Sequence, residues 1–139
     1  MGKRFRETAL LEMQLFGPDA VFEHIGLAVH RIQDAVGTQV RIVADETQRV
    51  SVAFVEMSGI RIELIEPLGE HTPITGSLKK GVKLLHLCFR VPDIEVAIRD
   101  ARRNGFRCLA NPVPAKALGG RMIVWMYSTA YGLVELLEA

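Results

Sequence analysis

Apolar and polar positions along the chain fall into a pattern that occurs twice. From His24 to Val29, the apolar residues Ile25, Leu27 and Val29 alternate with His24, Gly26 and Ala28, the period of a half-buried strand. Small residues thus share a face with the histidine. His86-Leu87-Cys88-Phe89-Arg90-Val91 repeats the theme within a strand predicted over Lys83 to Val91. In both stretches a histidine opens an apolar run, a Val follows five residues on and an Ile eight on. A second echo pairs Ile62-Glu63-Leu64-Ile65-Glu66 with Val134-Glu135-Leu136-Leu137-Glu138. The chain reads as two copies of one unit, each opening on a His and closing on a Glu.

The spacing between those echoes predicts the same elements in both copies. In the first, a brief helix over Ile32 to Val36 stops at Gly37, and strands follow over Gln39–Ala44, Val50–Met57 and Ile60–Ile65, the last two joined by a Ser58-Gly59 hairpin. In the second, Asp93 is a good N-cap for a helix with Ile94, Ala97, Ile98 and Ala101 on one face, ended by Asn104-Gly105. Strands over Phe106–Ala110, Met122–Tyr127 and Leu133–Leu137 complete it, with Asn111 to Gly120 as a loop. Each copy is βαβββ. The expected organisation is one compact domain: an N-terminal helical extension over 1–20, with an amphipathic helix from Arg4 to Phe16; a first unit over 21–67; a linker over 68–82 punctuated by Gly and Pro; and a second unit over 83–139. His24 and Glu63 are 39 residues apart and His86 and Glu135 are 49 apart, so the repeat is asymmetric.

Composition narrows the function classes. With 139 residues, 49% hydrophobic and 24% charged, the chain suits a globular domain. Its 17 basic and 16 acidic side chains leave a net charge of +1, which points to neither nucleic acid nor an acidic membrane as partner. No run approaches the roughly 18–20 apolar residues of a membrane span, and no signal-peptide pattern appears. Cys88 and Cys108 sit in apolar runs, as buried thiols do, and a cytoplasmic protein is the expectation.

The repeated residues carry the chemistry. Alternation places Glu63 on a face with Arg61 and Ile65, away from Glu66, and separates Glu135 from Glu138 in the same way. A single strand His is usually a hydrogen-bonded core residue. Four residues at matching places of a repeat are a different matter: if first and last strands approach within each unit, pairing the units brings His24, Glu63, His86 and Glu135 together. Two imidazoles and two carboxylates suit one divalent transition metal, with Zn, Fe, Ni, Co and Mn all admissible.

On these residues the chain resembles the vicinal oxygen chelate superfamily, the glyoxalase/bleomycin resistance fold, over about residues 22–138. Within it, His24-Ile25-Gly26-Leu27-Ala28-Val29, Ile62 through Gly69 with Thr72-Pro73-Ile74, Leu85-His86 through Asp93-Ile94 and Gly132 through Leu136 look most like the methylmalonyl-CoA epimerase group. The resemblance implies an α+β fold in which two βαβββ units form a cupped, partly open eight-stranded sheet around a metal held by His24, Glu63, His86 and Glu135. It implies a metal-dependent isomerase or epimerase that abstracts a proton next to the carbonyl of a small-molecule substrate of the acyl-CoA thioester type, with Glu135 doubling as the base. The alternatives are a glyoxalase I-like lyase acting on a thiol-aldehyde adduct and a non-catalytic binding protein of the bleomycin-resistance kind. A homodimer is the expected assembly.

Three departures stand out: Tyr127-Ser128-Thr129 replaces a His-Pro-Lys run, Leu85-His86 replaces His-His, and Val50-Ser51-Val52 offers no second base. Arg90 and Arg121 are further candidates for binding a substrate anion.

Overall fold

A computed structural model describes residues 9–139. The first unit runs β1 (Val21–Ala28), α1 (Ile32–Val36), β2 (Val43–Asp45), β3 (Val50–Met57) and β4 (Ile60–Pro67). After the short α2 (Thr75–Lys79), the second runs β5 (Leu84–Val91), α3 (Ile94–Arg103), β6 (Arg107–Cys108), β7 (Val113–Ala115), β8 (Arg121–Ser128) and β9 (Gly132–Glu138), with a 3₁₀ turn at Lys116–Leu118. The sheet therefore has nine strands among the described residues, not eight. The extra one is β7, inside the stretch expected to be a loop: Pro114 has no N–H to give, but β7 pairs only with β8 and needs none on its outer side.

Strand order is β2-β3-β4-β1-β5-β9-β8-β6, with β7 added beside β8. In each unit the first and last strands run parallel, β1 with β4 and β5 with β9. The units meet where β1 and β5 pair antiparallel, the seam of the sheet. Two irregularities interrupt this seam. Glu23 has no partner between Phe22↔Phe89 and His24↔Cys88, and Leu85 has none between Gly26↔His86 and Leu27↔Leu84. The residue before each histidine is thus a β-bulge.

The sheet is open, and contacts between its two ends are made within one chain. Asp45, at the end of β2, accepts hydrogen bonds from the Lys116 backbone N–H (3.3 Å) and from Gln48 Nε2 (3.0 Å), while Trp125 Nε1 donates to Gln48 Oε1 (3.1 Å). Outside the cup, α3 lays Ile94, Ala97, Ile98 and Ala101 against Phe16, Val124 and Leu136. Asp93 caps this helix, its Oδ1 accepting from the N–H groups of Glu95 (3.0 Å) and Val96 (3.2 Å).

The helix expected from Arg4 to Phe16 is absent from its described part. Residues 9–14 form no regular element, and positions 4–8 lie outside the described residues. Leu10 and Leu11 are 96% and 83% exposed, so no packed face holds these turns, and a short helix without one is marginal in water.

The two glutamates that alternation separates from the histidines have matching roles. Glu66 Oε1 accepts from the backbone N–H of Ile32 at the start of α1, and Glu138 Oε2 from that of Ile94 at the start of α3, both at 2.8 Å. Carboxylates at these helix starts satisfy free N–H groups and favour the positive end of the backbone dipole. Glu138→Ala is expected to cost about 1 kcal/mol of unfolding free energy, with Glu138→Gln recovering part of it because an amide oxygen still accepts. A wild-type denaturation midpoint in Glu138→Ala would refute this role.

Candidate metal centre

His24 and Gly26 on β1 face Cys88 and His86 on β5 across the seam. The His86 ring lies against the backbone of Gly26, where a Cβ would sit 2.1 Å from Cε1. Glu63 on β4 and Glu135 on β9 come in from either side, because each last strand pairs with the first strand of its own unit. His24 Nε2 lies 3.1 Å from Glu135 Oε1 and 3.6 Å from Glu63 Oε1; His86 Nε2 lies 3.4 Å and 3.6 Å from the same two atoms. All four side chains are buried, and their ligand-type atoms lie within 4.8 Å of one another.

Each imidazole has an aromatic ring edge-on beside it. Phe54, paired with Glu63, stands 5.3 Å from the His24 ring, and Trp125, paired with Glu135, stands 4.7 Å from that of His86. The internal repeat thus extends to the groups that pack the histidines.

The donor set fits a cation. His24 Nε2, His86 Nε2 and Glu135 Oε1 are buried and make no hydrogen bond, although they point at a common centre. Buried polar atoms are rarely left this way, and a divalent ion among two imidazoles and two carboxylates satisfies them together. Burial pushes the Glu135 carboxyl up, but the close approach of the His24 and His86 imidazoles outweighs it and holds it at about 2. Burial opposes a proton on His24, yet the Cys88 sulfur and the Glu135 and Glu63 carboxylates overcome this and raise its proton affinity above that of an ordinary imidazole. The Cys88 thiol, fully buried beside His24, is pushed up to about 12, chiefly by that burial.

A cavity of about 490 Å³ opens onto this cluster, with Glu63, His86 and Glu135 among its lining. That volume suits a small organic ligand. Val50, Val52, Ile65 and Leu85 are part of its largely apolar wall, and Gln48, Arg49 and Asn111 add polar groups. His24 is not in the lining and meets the cluster from behind. Neither Arg90 nor Arg121 lines the cavity. Arg90 is exposed on β5, and Arg121 Nε donates to the Leu118 carbonyl (3.0 Å), tying β8 to the preceding turn.

Sequence reasoning passed over Asp45, Gln48, Phe54 and Trp125. The repeat could have revealed Phe54 and Trp125, each nine or ten residues before its glutamate. Nothing local marked Asp45 as joining two ends of the sheet, because the partner that does so, Lys116, lies on the opposite rim.

The neighbouring carboxylates raise the proton affinity of His24 and the imidazoles hold Glu135 ionised, so a metal ion would compete with protons on the imidazole side. Loading Zn²⁺ near neutral pH should release about one proton, and affinity should fall about tenfold per pH unit on acidification while that proton is displaced. Calorimetry in buffers of different ionisation enthalpy measures both; a pH-independent affinity without proton release contradicts the assignment. Co²⁺ should also quench the emission of Trp125, the chain's one tryptophan.

Residues 21–124 match the family described as Glyoxalase/Bleomycin resistance protein/Dioxygenase superfamily. The chain is 31% identical over 128 residues to mitochondrial methylmalonyl-CoA epimerase of Mus musculus, covering 84% of this chain and 71% of that protein. It is 30% identical over 125 residues to an ethylmalonyl-CoA/methylmalonyl-CoA epimerase of Cereibacter sphaeroides, covering 81% and 93%. The crystal structure of methylmalonyl-CoA epimerase from Mycobacterium tuberculosis shares the fold, with a TM-score of 0.70 at 24% identity over 93% of this chain and 92% of that one. The Streptomyces coelicolor epimerase, solved in complex with 2-nitronate-propionyl-CoA, shares it with a TM-score of 0.67 at 24% identity over 86% and 94%. The chain, similar to these methylmalonyl-CoA epimerases, belongs to the glyoxalase/bleomycin resistance/dioxygenase superfamily.

Proposed function

We propose that this protein is a metal-dependent epimerase that acts next to the carbonyl of an acyl-CoA-type thioester, as its epimerase relatives are named for doing. One observation carries the reading: unpartnered nitrogens of two histidines and an unpartnered carboxylate oxygen converge, with Glu63, at the base of a ligand-sized cavity. His24, Glu63, His86 and Glu135 would hold the divalent metal. When bound, the ion supplies Lewis-acid chemistry, lowering the cost of negative charge on a carbonyl oxygen as the neighbouring proton leaves.

Glu135 is the residue we assign to take that proton. It lines the cavity and it is ionised. The apolar walls around Val52 and Ile65 suit a hydrocarbon substituent on the reacting carbon and limit water around the base. Inversion also needs a proton donor on the second face. Val52 offers none, and Asp45, which lines the cavity, has both carboxylate oxygens engaged by Gln48 and Lys116. We therefore assign the returning proton to solvent in the cavity.

Neither alternative is favoured. The relatives point away from a lyase, and a binding protein has no need of four converging ligands. Exposed Val21, Phe22, Leu84 and Leu87 along β1 and β5 support the expected homodimer. The two free cysteines support a cytoplasmic setting. No helix among the described residues is long and apolar enough to cross a membrane.

Methylmalonyl-CoA incubated with metal-loaded protein in D₂O should gain deuterium at the carbon next to the thioester carbonyl, with exchange at least as fast as inversion. Glu135→Gln should slow exchange by about 10²–10⁴-fold, and His86→Ala should lose the metal. Metal-loaded protein that exchanges no deuterium defeats the proposal.

A further inference from the structure

Glu23 immediately precedes His24, and plain strand alternation would turn their side chains to opposite faces. The bulge removes that separation. Glu23 is the unpaired residue of β1 at the seam, and an extra residue there re-aims the neighbouring side chains. Its carboxylate, only 6% exposed, contacts His24 Nδ1 through Oε2 and Arg61 Nη1 through Oε1. Arg61 in turn lies over the Phe54 ring, 4.1 Å from its centroid, and Phe54 packs edge-on against His24.

The repeat makes the contrast sharp. The bulge before His86 is Leu85, which has no acceptor to offer and instead forms part of the cavity wall. Arg61, two residues before Glu63, corresponds to Leu133, two before Glu135, and Leu133 also lines the cavity. One side of the cluster is therefore an open apolar cavity; at the matching place on the other stands the Glu23–Arg61 pair.

We propose that Glu23 is a positioning residue for His24: its carboxylate holds the Nδ1 proton, presents Nε2 to the metal, and with Arg61 fills the end of the cup opposite the substrate cavity. A carboxylate behind a ligand histidine fixes ring orientation and makes the coordinating nitrogen a stronger donor. Glu23 is absent from the cavity lining and from the group of His24, Glu63, His86 and Glu135; it clusters instead with His24 and Cys88, so its contact with that centre runs through His24. The inference rests on the reading of His24 as a ligand.

The test uses the full chain and Zn²⁺ or Co²⁺ alone, without substrate. Metal affinity should fall about 10–100-fold in Glu23→Ala and less in Glu23→Gln, whose amide oxygen still accepts from Nδ1. In the Zn²⁺-loaded wild type, histidine ¹⁵N NMR should show His24 coordinating through Nε2, with an Nδ1–H slow to exchange. That proton should exchange rapidly in Glu23→Ala, and the Co²⁺ absorption bands should shift. If Glu23→Ala does not fold, Glu23→Gln carries the test through the same affinity, Nδ1–H and Co²⁺ readouts. Wild-type affinity, Nδ1–H protection and Co²⁺ bands in the folded variants overturn the positioning role while leaving the metal centre intact. A wild-type chain that binds neither ion overturns both.

Discussion

The close approach of His86 to Gly26 is the contact on which the rest of the structure depends. A Cβ at Gly26 would lie 2.1, 2.4 and 2.7 Å from three atoms of the imidazole ring, so no other residue fits without moving the ring. The same register that sets Gly26 opposite His86 sets His24 opposite Cys88. Slipping the seam by one residue would turn one of its two strands over and send that strand's histidine to the outer face. The two glutamates would then no longer meet both histidines, because each is held in place by parallel pairing to the strand that carries its own histidine. The seam sets up the centre, and the outer strands supply its walls.

Burying two imidazoles and two carboxylates together costs solvation that their mutual contacts recover only in part. Without a metal the cluster survives by sharing protons: His24 keeps one that burial alone would remove, and Glu135 stays ionised against its own desolvation. These groups, with Glu63 and His86, form a polar island between apolar clusters built on Val50, Val52 and Ile65 on one side and Ile123, Leu118 and Leu137 on another. A fold under selection for stability alone gains more from apolar residues at such positions. On the proposed reading their presence serves the site, and a metal bound there would make the protein's stability depend on metal concentration.

Much of this architecture was legible in the chain because it is written twice. Two histidine strands and two glutamate strands at matching offsets announced paired βαβββ units, and strand parity separated Glu63 and Glu135 from Glu66 and Glu138. The less legible features depend on departures from regular geometry or on distant residues. Glu23 reaches His24 only through a bulge, which strand alternation does not foresee. β7 passes for a loop because its proline, Pro114, is tolerated only at a free edge. Asp45 and Gln48 gain their meaning from Lys116 and Trp125, some seventy residues away on the far rim. The N-terminal stretch misleads in the opposite sense: its helical periodicity is real, but Leu10 and Leu11 meet no core.

Breaking the repeat is what turns a symmetric cup into a directional site. Two identical units would leave the same surroundings on both sides of the centre, with two openings or none. Here the bulged positions diverge, Leu85 against Glu23, and so do the positions two residues before each glutamate, Leu133 against Arg61. The apolar pair borders the cavity, and the charged pair braces His24 from behind. The cavity therefore opens over Glu63, His86 and Glu135, while His24 lies outside its lining. The rim clasp of Asp45, Gln48 and Trp125 extends that order toward the mouth, because the indole that binds Gln48 also packs against His86. A ligand that displaces Gln48 from Trp125 would therefore disturb a contact of His86, which links the shape of the cavity mouth to the four converging side chains below it.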